Sequence, residues 1–402
     1  MDCFKAYILM CGLILYSIAS AKDFEEKNKV KPTISDNFRL GILEKPSKNE
    51  KVIMSVSHDI ELNIVEELAH WYKVEIEGRE GFVHKKWVEK VRSHERLEIH
   101  AFNVGQGDSY LILCPNGKNV LFDAGSGSKR TDEIYRESLL LATDHYSRRL
   151  HYAIVSHPDI DHYGLLPFLS ETFLIDKVFY VGEQDDYSRY FWGWLSTVKS
   201  YSIKNETDRN LEHLDCGDAK VNFLSAGLVS KAKKSRKNTM SIVMSVTYGE
   251  FEALFVGDAT TETESYILEK NHISSKELSH DLITIGHHGS GVTSSSNRWL
   301  SSLTASIAVI SSGHNNRYWH PHNTITSKLE VLLPTTQHAF NYIAGLKDTN
   351  SQYVWHSAST NKAILQTQTA GNIRFITDGK DLQIKTELLG NIEFSEEFIN
   401  AN

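Results

Sequence analysis

One short segment of the chain carries four side chains of the types that bind divalent metals. His157, Asp159, Asp161 and His162 lie within six positions, directly after the apolar run Tyr152–Val155. Burying imidazole and carboxylate groups costs free energy unless a partner compensates, and a divalent cation can serve several of them at once. A polar turn facing water would explain any one of these residues, but not four at this spacing. We therefore interpret residues 157–162 as a metal loop.

Ligand-type residues also follow other apolar runs. Asp123, Asp258 and the pair His287 and His288 each come after such a run, with a small residue beside them. A single aspartate in this position is more often a helix cap or a turn residue. Together with the run before the metal loop, four strands share this arrangement. It predicts that the loops at their carboxyl ends converge, because open α/β sheets place their chemistry there.

The candidate ligands fall into two groups that Asp258 would connect, because a carboxylate can give one oxygen to each of two ions. The first group is His157 and Asp159 with His287 or His288, and the second is Asp161 and His162 with Asp258. The carboxylate of Asp159 makes the first group richer in oxygen, which favours Mn²⁺ without excluding Zn²⁺. The predicted cofactor is therefore one or two divalent ions, Mn or Zn, with a bound water as the nucleophile.

The elements that must position these loops form a layered pattern. Between residues 95 and 387, strands alternate with longer helical stretches, which predicts an α/β architecture. A segment at 185–215 interrupts the pattern. We interpret it as a cover packed on the domain, and the alternative is a surface on which nucleobases stack. Its aromatic residues are Tyr187, Tyr190, Phe191, Trp192 and Trp194.

Further motifs make the interpretation more specific. They are FNVGQGDS at 102–109, GHHGS at 286–290, and SSG at 311–313 before His320 and Pro321. Together with the metal loop and Asp258, they resemble the metallo-β-lactamase fold, and in particular the hydrolase domain of ComEC-type competence DNA-uptake proteins. The resemblance spans residues 95–387 and implies an αββα sandwich. The sequence has no long apolar channel segments, so a transmembrane channel role does not carry over.

The resemblance also implies roles for residues around the ligands. Asp161, His320 and Asp123 are the expected catalytic residues. His320 would donate a proton or position the substrate, and Asp123 would brace the metal loop through a hydrogen bond rather than ligate directly. Asn238 and Ser241 stand where many relatives of the fold carry a histidine, so one metal position is expected to be weaker.

Residues 231–237 form a concentrated basic run in a chain whose net charge is −8. Most such runs are solvated loops. The position of this run at the expected rim of the site favours contacts with substrate phosphates, which would weaken steeply with salt. The predicted substrate-binding residues are Lys233, Lys234, Arg236, Lys237, Asn238 and Ser241.

Residues 1–21 have the features of a cleavable signal peptide, with a lysine, a short apolar stretch and the small-residue sequence Ala19–Ala21. We therefore expect a periplasmic or secreted protein, and the alternative is an uncleaved N-terminal anchor. Residues 22–32 are expected to form a charged linker and residues 388–402 a tail. Cys114 and Cys216 are the cysteines beyond the signal peptide, and the sequence leaves open whether they pair.

Residues 33–92 show short alternating segments separated by turn residues. Trp71–Val74 and Gly81–His84 resemble a bacterial SH3-like barrel. Such modules often bind cell-wall peptides, which makes a cell-wall peptide a candidate partner. The aromatic residues of this region favour a core over a binding groove. The sequence gives no oligomeric state.

These features predict an exported metal-dependent hydrolase, and they favour a phosphodiesterase or nuclease acting on DNA. Two alternatives stay open. One is hydrolysis of a small ester such as a phosphocholine ester, a lactone or a β-lactam, and the other is a cell-wall-binding protein with an inactive hydrolase domain. A β-lactam is the least favoured substrate, because Asp159 and Asn238 replace imidazoles that such enzymes usually need.

Overall fold

The computed structural model describes most of the chain from residue 29 onward. The described ranges are 29–34, 38–57, 60–76, 78–90, 96–125, 132–143, 148–230, 236–270, 278–388 and 390–394. The predicted signal peptide lies outside them, as do Lys233 and Lys234 of the basic run. Within these ranges, no helix combines the length and the apolar character needed to cross a membrane.

A seven-stranded antiparallel sheet precedes the larger domain. Its strands are β1 (Lys29–Pro32), β2 (Leu40–Leu43), β3 (Val52–Val56), β4 (Leu62–Glu67), β5 (Trp71–Ile76), β6 (Arg79–His84) and β7 (Val88–Lys90). They pair in the order β3-β2-β6-β5-β4-β1-β7 around a core that includes Val30, Leu62 and Tyr72. The predicted SH3-like barrel is thus confirmed. β1 lies inside the predicted linker 22–32, and this part of that prediction is wrong because β1 pairs with β4 and β7.

The larger domain contains a nine-stranded mixed sheet. Its strands are β8 (Leu97–Ala101), β9 (Tyr110–Leu113), β10 (Asn119–Phe122), β12 (Tyr152–Val155), β14 (Val178–Tyr180), β15 (Ser200–Ser202), β23 (Ile373–Thr377), β24 (Leu382–Thr386) and β25 (Gly390–Phe394). The order is β15-β14-β12-β10-β9-β8-β23-β24-β25. β25 lies in the predicted tail 388–402 but pairs with β24, so this segment belongs to the sheet.

A second sheet of seven strands faces the first. Its strands are β16 (Lys220–Ser225), β17 (Val243–Tyr248), β18 (Phe251–Phe255), β19 (Leu282–Thr284), β20 (Ile307–Ile310), β21 (Thr335–Lys347) and β22 (Tyr353–Gln366). They follow the order β16-β17-β18-β19-β20-β22-β21. A separate two-stranded ribbon joins β11 (Arg149–Leu150) and β13 (Leu174–Ile175).

Helices cover the outer faces of both sheets. The first sheet carries α1 (Asp132–Ala142), α2 (Ile160–Tyr163), α3 (Leu166–Leu169) and α4 (Arg189–Leu195), and the second carries α6 (Thr261–Lys270), α7 (Asn297–Ser302) and α8 (Asn323–Leu332). Two short helices, α5 (Arg236–Thr239) and α9 (Thr367–Ala370), lie in connections. One apolar cluster fills the space between the sheets, and two others lie between each sheet and its helices. This four-layer packing confirms the predicted αββα sandwich.

The aromatic insertion packs onto the outer layer of the first sheet. Tyr187 and Phe191 belong to the buried cluster beneath the helices, and Trp192 and Trp194 pack against it. Tyr190 is the exception, with 72% of its surface exposed. These contacts support the interpretation as a cover, because rings that fill a core are not available to stack on bases.

Cys114 and Cys216 form a disulfide, with their Cα atoms 5.0 Å apart. The bond joins the turn between β9 and β10 to the segment that precedes β16. It therefore connects the hairpin of one sheet to the entry of the other, across a sequence separation of 102.

Candidate metal centre

The predicted metal-binding loops lie at one edge of the sandwich. In the first sheet β10 and β12 run parallel, and in the second β18, β19 and β20 do. Asp123 follows β10, the metal loop follows β12, Asp258 follows β18, and His287 and His288 follow β19. The carboxyl ends of these strands therefore bring together all the predicted ligands and Asp123.

Asp258 lies at the centre of the cluster and is almost fully buried. Its Oδ1 is 3.3 Å from His162 Nε2 and 3.6 Å from His288 Nε2. Its Oδ2 is 3.7 Å from His157 Nε2 and 3.4 Å from His287 Nε2. Each carboxylate oxygen thus faces its own pair of imidazoles, which is the arrangement needed to share one carboxylate between two ions.

We call the Oδ1 side of Asp258 the buried side. It comprises Asp161, His162 and His288, whose ligand atoms all lie within 4.8 Å of one another. Asp161 Oδ2 is 3.3 Å from His288 Nε2. The side chains of His162 and His288 are 0% and 2% exposed, whereas that of Asp161 is 25% exposed.

We call the Oδ2 side of Asp258 the open side. It comprises His157, Asp159 and His287, and the side chain of Asp159 is 36% exposed. Asp159 Oδ2 is 3.7 Å from His157 Nε2. Asn238 Nδ2 lies 3.2 Å from Asp258 Oδ2, so an amide occupies a place at this side where an imidazole would add a ligand.

His287 and His288 therefore belong to different sides, whereas the sequence predicts one or the other as a ligand. Their backbones explain how two successive residues both face the cluster. Their φ angles are 52° and 56°, in the left-handed region that residues other than glycine rarely adopt. Such a conformation costs on the order of 1–3 kcal/mol per residue and concentrates at functional sites.

Asp123 orients two of the imidazoles. Its Oδ2 accepts hydrogen bonds from Ser156 Oγ and from His162 Nδ1, both at 2.7 Å. Because Ser156 Oγ donates to Asp123, it accepts from His157 Nδ1 at 3.0 Å. Both rings are then held with their Nδ1 proton on these acceptors and direct Nε2 at the cluster, where a metal ion would take the place of a second proton.

The other two imidazoles are held in the same orientation. His288 Nδ1 is 3.0 Å from the Ser311 carbonyl oxygen and 3.2 Å from Asp108 Oδ1, both of which are acceptors. His287 Nδ1 is 2.7 Å from Thr293 Oγ1, which itself donates to Ser290 Oγ. All four rings therefore present Nε2 to Asp258.

Divalent ions fit this set of residues. Among the residues that the structure describes, four buried polar atoms of the cluster have no hydrogen-bond partner. They are His157 Nε2, His162 Nε2, His288 Nε2 and Asp258 Oδ1. Buried polar atoms of this kind require an explanation, and a bound metal ion is one that suits imidazole and carboxylate together.

The charges of the cluster are strongly coupled. Burial lowers the pKa of His162, but the carboxylates of Asp258 and Asp123 raise that pKa well above its usual range. Burial raises the pKa of Asp258, but His287, His288 and His162 lower that pKa well below its usual range. The central carboxylate is therefore charged and needs positive charge beside it, which divalent ions would supply in place of imidazolium protons.

His320 lies beside the ligands, with its ring centroid 5.5 Å from that of His287 and 6.5 Å from that of His288. Burial, together with these two imidazoles, lowers the pKa of His320 to about 3. The ring is therefore neutral at pH 7. A neutral imidazole can donate a hydrogen bond, which is compatible with the predicted positioning role.

The described end of the basic run contacts the protein itself. Arg236 forms an ion pair with Asp186. Lys237 Nζ donates to the carbonyl oxygens of Pro158 and Asp186, at 2.8 and 2.6 Å. Both cations thus tie the segment to the metal loop and the insertion, and since their side chains are 45% and 38% exposed, their contact with substrate phosphates stays a prediction. Ser241 is fully buried, which argues against substrate contact there.

Sequence reasoning missed aromatic residues next to the centre. Tyr318 and Trp319 immediately precede His320, and Tyr353 and Trp355 lie at the start of β22. Tyr353 and Trp355 are two positions apart, so they lie on one face of the strand. This alternation was the only sequence signal for an aromatic face on the strand. It does not show which part of the protein that face would contact.

The fold agrees with what family comparison finds. The chain belongs to the Metallo-beta-lactamase superfamily, whose family model matches residues 102–314. The family model of the Bacterial SH3 domain matches residues 39–90. Both domains predicted from the sequence are therefore present.

The chain is also similar to proteins of competence and recombination. ComE operon protein 3 of Bacillus subtilis is 25% identical over 249 residues, which cover 58% of this chain and 30% of that protein. Competence protein ComA of Neisseria gonorrhoeae is 27% identical over 239 residues, covering 58% and 29%. Recombination protein 2 of Haemophilus influenzae is 26% identical over 242 residues, covering 60% and 27%. The chain thus spans less than a third of the length of these relatives, and the predicted resemblance is confirmed.

Solved structures with the same general fold include the metallo-beta-lactamase fold protein YhfI from Bacillus subtilis. It is 13% identical, with a TM-score of 0.38, and the match covers 59% of this chain and 94% of YhfI. A diphosphatase from the PhnP family is 12% identical, with a TM-score of 0.37, and the match covers 69% and 96%. Similarity at this level carries no argument about activity or substrate.

Proposed function

We propose that this protein is an exported metal-dependent phosphodiesterase that cleaves DNA. The observation that carries the proposal is the position of Asp258, whose two oxygens face separate sets of ligands. Superfamily membership supports metal-dependent hydrolysis in general. Cleavage of a phosphodiester is the more specific step, and it rests on the paired arrangement of the ligands.

The residues of the chain divide the chemical tasks between them. Asp161, His162 and His288 would hold one ion, His157, Asp159 and His287 the other, and Asp258 would contact both. Ions bound there would lower the pKa of a water to near 7 and stabilise the attacking and leaving oxygens of an in-line displacement. Asp123 and Ser156 keep the imidazoles in the tautomer that this requires. His320 is placed to donate a hydrogen bond to the substrate.

The names of the relatives favour DNA as the substrate over a small ester. Competence and recombination proteins are among them, although the chain covers only part of each. The likeness to a diphosphatase is too weak to favour a diphosphate. The physiological metal, Mn²⁺ or Zn²⁺, stays a prediction from the oxygen-rich open side.

Export is supported by the disulfide between Cys114 and Cys216. Disulfides persist in oxidising compartments such as the periplasm and are rare in the cytosol. The bond therefore agrees with the predicted signal peptide at residues 1–21. Binding of a cell-wall peptide by the SH3-like barrel is a further part of the proposal, in keeping with an exported protein.

A cleavage assay tests the proposed function. The protein purified without chelators is incubated with plasmid and oligonucleotides in the presence of Mn²⁺, Mg²⁺ or Zn²⁺, beside the variant Asp161→Ala. Cleavage by the wild type that is lost in the variant supports the proposal. Absence of cleavage with every metal, together with binding to peptidoglycan, would instead favour a cell-wall-binding protein with an inactive hydrolase domain.

A further inference from the structure

An aromatic surface adjoins the metal centre and has no part in the chemistry described so far. It consists of Tyr318 and Trp319 from the loop before His320, and of Tyr353 and Trp355 from β22. Tyr318 is 47% exposed, and the other three rings are half-buried. None of the four belongs to the apolar clusters of the described chain, so their role is not to fill a core.

The hairpin of β21 and β22 bends to bring these rings together. A register shift between Thr335 and Phe340 breaks the ladder. The side chain of Gln366, the last residue of β22, then hydrogen-bonds both backbone groups of Ile343. The far half of the hairpin thereby folds back toward the carboxyl end of β20, which is the edge that carries the metal centre.

The loop and the hairpin are in close backbone contact. Gly345 N donates to the Pro321 carbonyl oxygen at 2.8 Å. A Cβ atom at Gly345 would lie 2.4 Å from the carbonyl oxygen of Trp319, so only glycine permits this approach. The aromatic surface is therefore held at a fixed position relative to His320.

The rings form a stacked series. His322 and Tyr353 have centroids 5.3 Å apart with an interplanar angle of 14°, and Tyr353 and Trp319 are 5.9 Å apart at 16°. Trp355 continues the series, 5.0 Å from Trp319. On the side of the metal centre, Tyr318 stacks on His320 at 5.7 Å and 25°. The series thus ends at Trp355, for which no second ring contact is found within the described part of the chain.

Two cations lie over these rings. The guanidinium of Arg317 is 4.7 Å from the Tyr318 centroid, and Lys347 Nζ is 5.3 Å from the Tyr353 centroid. Both are exposed, and they stand on a chain whose net charge is −8. Neighbouring rings and these cations thus already cover Tyr318 and Tyr353, whereas Trp355 contacts only Trp319 among the described rings and leaves its other face to a ligand beside local positive charge.

We propose that this surface, the aromatic platform, binds single-stranded DNA by stacking its unpaired bases while Arg317 and Lys347 contact its phosphates. The inference rests on the proposed function and adds a strand preference to it. Bases in a duplex are already stacked on each other, whereas unpaired bases are free to stack on protein rings. Stacked rings interleaved with cations suit an alternating sequence of bases and phosphates better than an uncharged sugar chain.

The test compares a thymidine oligonucleotide with an abasic one of the same length and charge. Stacking contributes about 1–3 kcal/mol per base, so the wild type should bind the intact strand on the order of tenfold more tightly, in KM for cleavage and in Kd. Trp355→Leu should raise the KM for the intact strand about tenfold and reduce the difference between the strands to less than twofold. If Trp355→Leu unfolds, Tyr318→Leu replaces it, because Tyr318 is exposed. This variant should likewise reduce the difference in KM and Kd between the intact and the abasic strand.

Trp87→Leu is the matched control, because Trp87 is also 47% exposed and carries Lys86 over its ring, but lies in the SH3-like barrel. It should leave the difference between strands unchanged. Kd is measured by anisotropy with chelated protein, so it tests the platform even if no DNA is cleaved and the proposed function fails. Equal binding of both strands by the wild type, an effect of Trp87→Leu equal to that of Trp355→Leu, or preferential binding of muropeptides would each overturn the inference.

Discussion

The two sides of the metal centre share Asp258 but are built differently. On the buried side, both imidazoles are inaccessible to water, and carboxylates of Asp123 and Asp108 lie behind them. On the open side, His157 is equally buried but connects to Asp123 only through Ser156, while Asp159 and His287 are 36% and 24% exposed. Ligands that are fixed in advance lose less entropy on binding. We therefore expect the buried side to bind its ion tightly and the open side to bind its ion weakly.

Replacing Asp258 should have the largest effect, because it removes the feature that both sides share. We expect Asp258→Asn to lower hydrolysis on the order of 10³-fold, since an amide cannot bridge two cations. Metal content by mass spectrometry should fall at both sides. If one full equivalent of metal remained bound, the two sides would be independent and the shared role of Asp258 would be wrong.

A pair of variants then separates the sides. Asp161→Ala should remove the firmly held ion and most of the activity, whereas Asp159→Ala should remove only the loosely held ion. Calorimetric metal titration should therefore show one remaining metal site in each variant. The remaining site of Asp159→Ala should bind metal more tightly than that of Asp161→Ala. The same affinity in both variants would contradict the distinction between the sides.

Ser156→Ala should affect the open side alone. It leaves His157 Nδ1 without its acceptor, while the direct bond from His162 to Asp123 persists. Loss of such a supporting hydrogen bond typically costs about tenfold in metal affinity. The weaker of two measured dissociation constants should rise by this amount. A rise in the tighter dissociation constant instead would mean that the hydrogen bonds of Ser156 support the ligands of the buried side.

Asn238→His should give the smallest change, and in the opposite direction. The amide nitrogen is 3.2 Å from Asp258 Oδ2, so an imidazole at this position can reach the open side. We expect the weaker dissociation constant to fall a few-fold, with Asn238→Gln as a control of similar size. Unchanged affinity in Asn238→His would show that His287 already completes the open side.

The fold could be predicted from the alternation of strands and helices. Most ligand positions could be predicted because each ligand residue follows an apolar strand. Asp123, Asp258 and the metal loop needed only the rule that parallel strands end at a common edge. Sequence could not assign His287 and His288 to separate sides, because adjacent residues in ordinary backbone point apart, and only the left-handed conformation brings both inward.

Contacts between distant segments also escaped prediction. Lys237 and Arg236 form a basic run in the sequence, but Pro158 and Asp186 bind them from 79 and about 50 positions away. The aromatic platform depends on a bend in a hairpin, which a register shift and the amide of Gln366 produce. Neither local composition nor periodicity carries such information.

The bond between Cys114 and Cys216 closes a covalent ring that contains the whole metal loop and the whole aromatic insertion. A protease that cut the backbone anywhere inside this ring would leave the two fragments joined. Outside the cell, where peptidases are common, a nicked molecule would therefore keep both halves of its ligand set on one covalent unit.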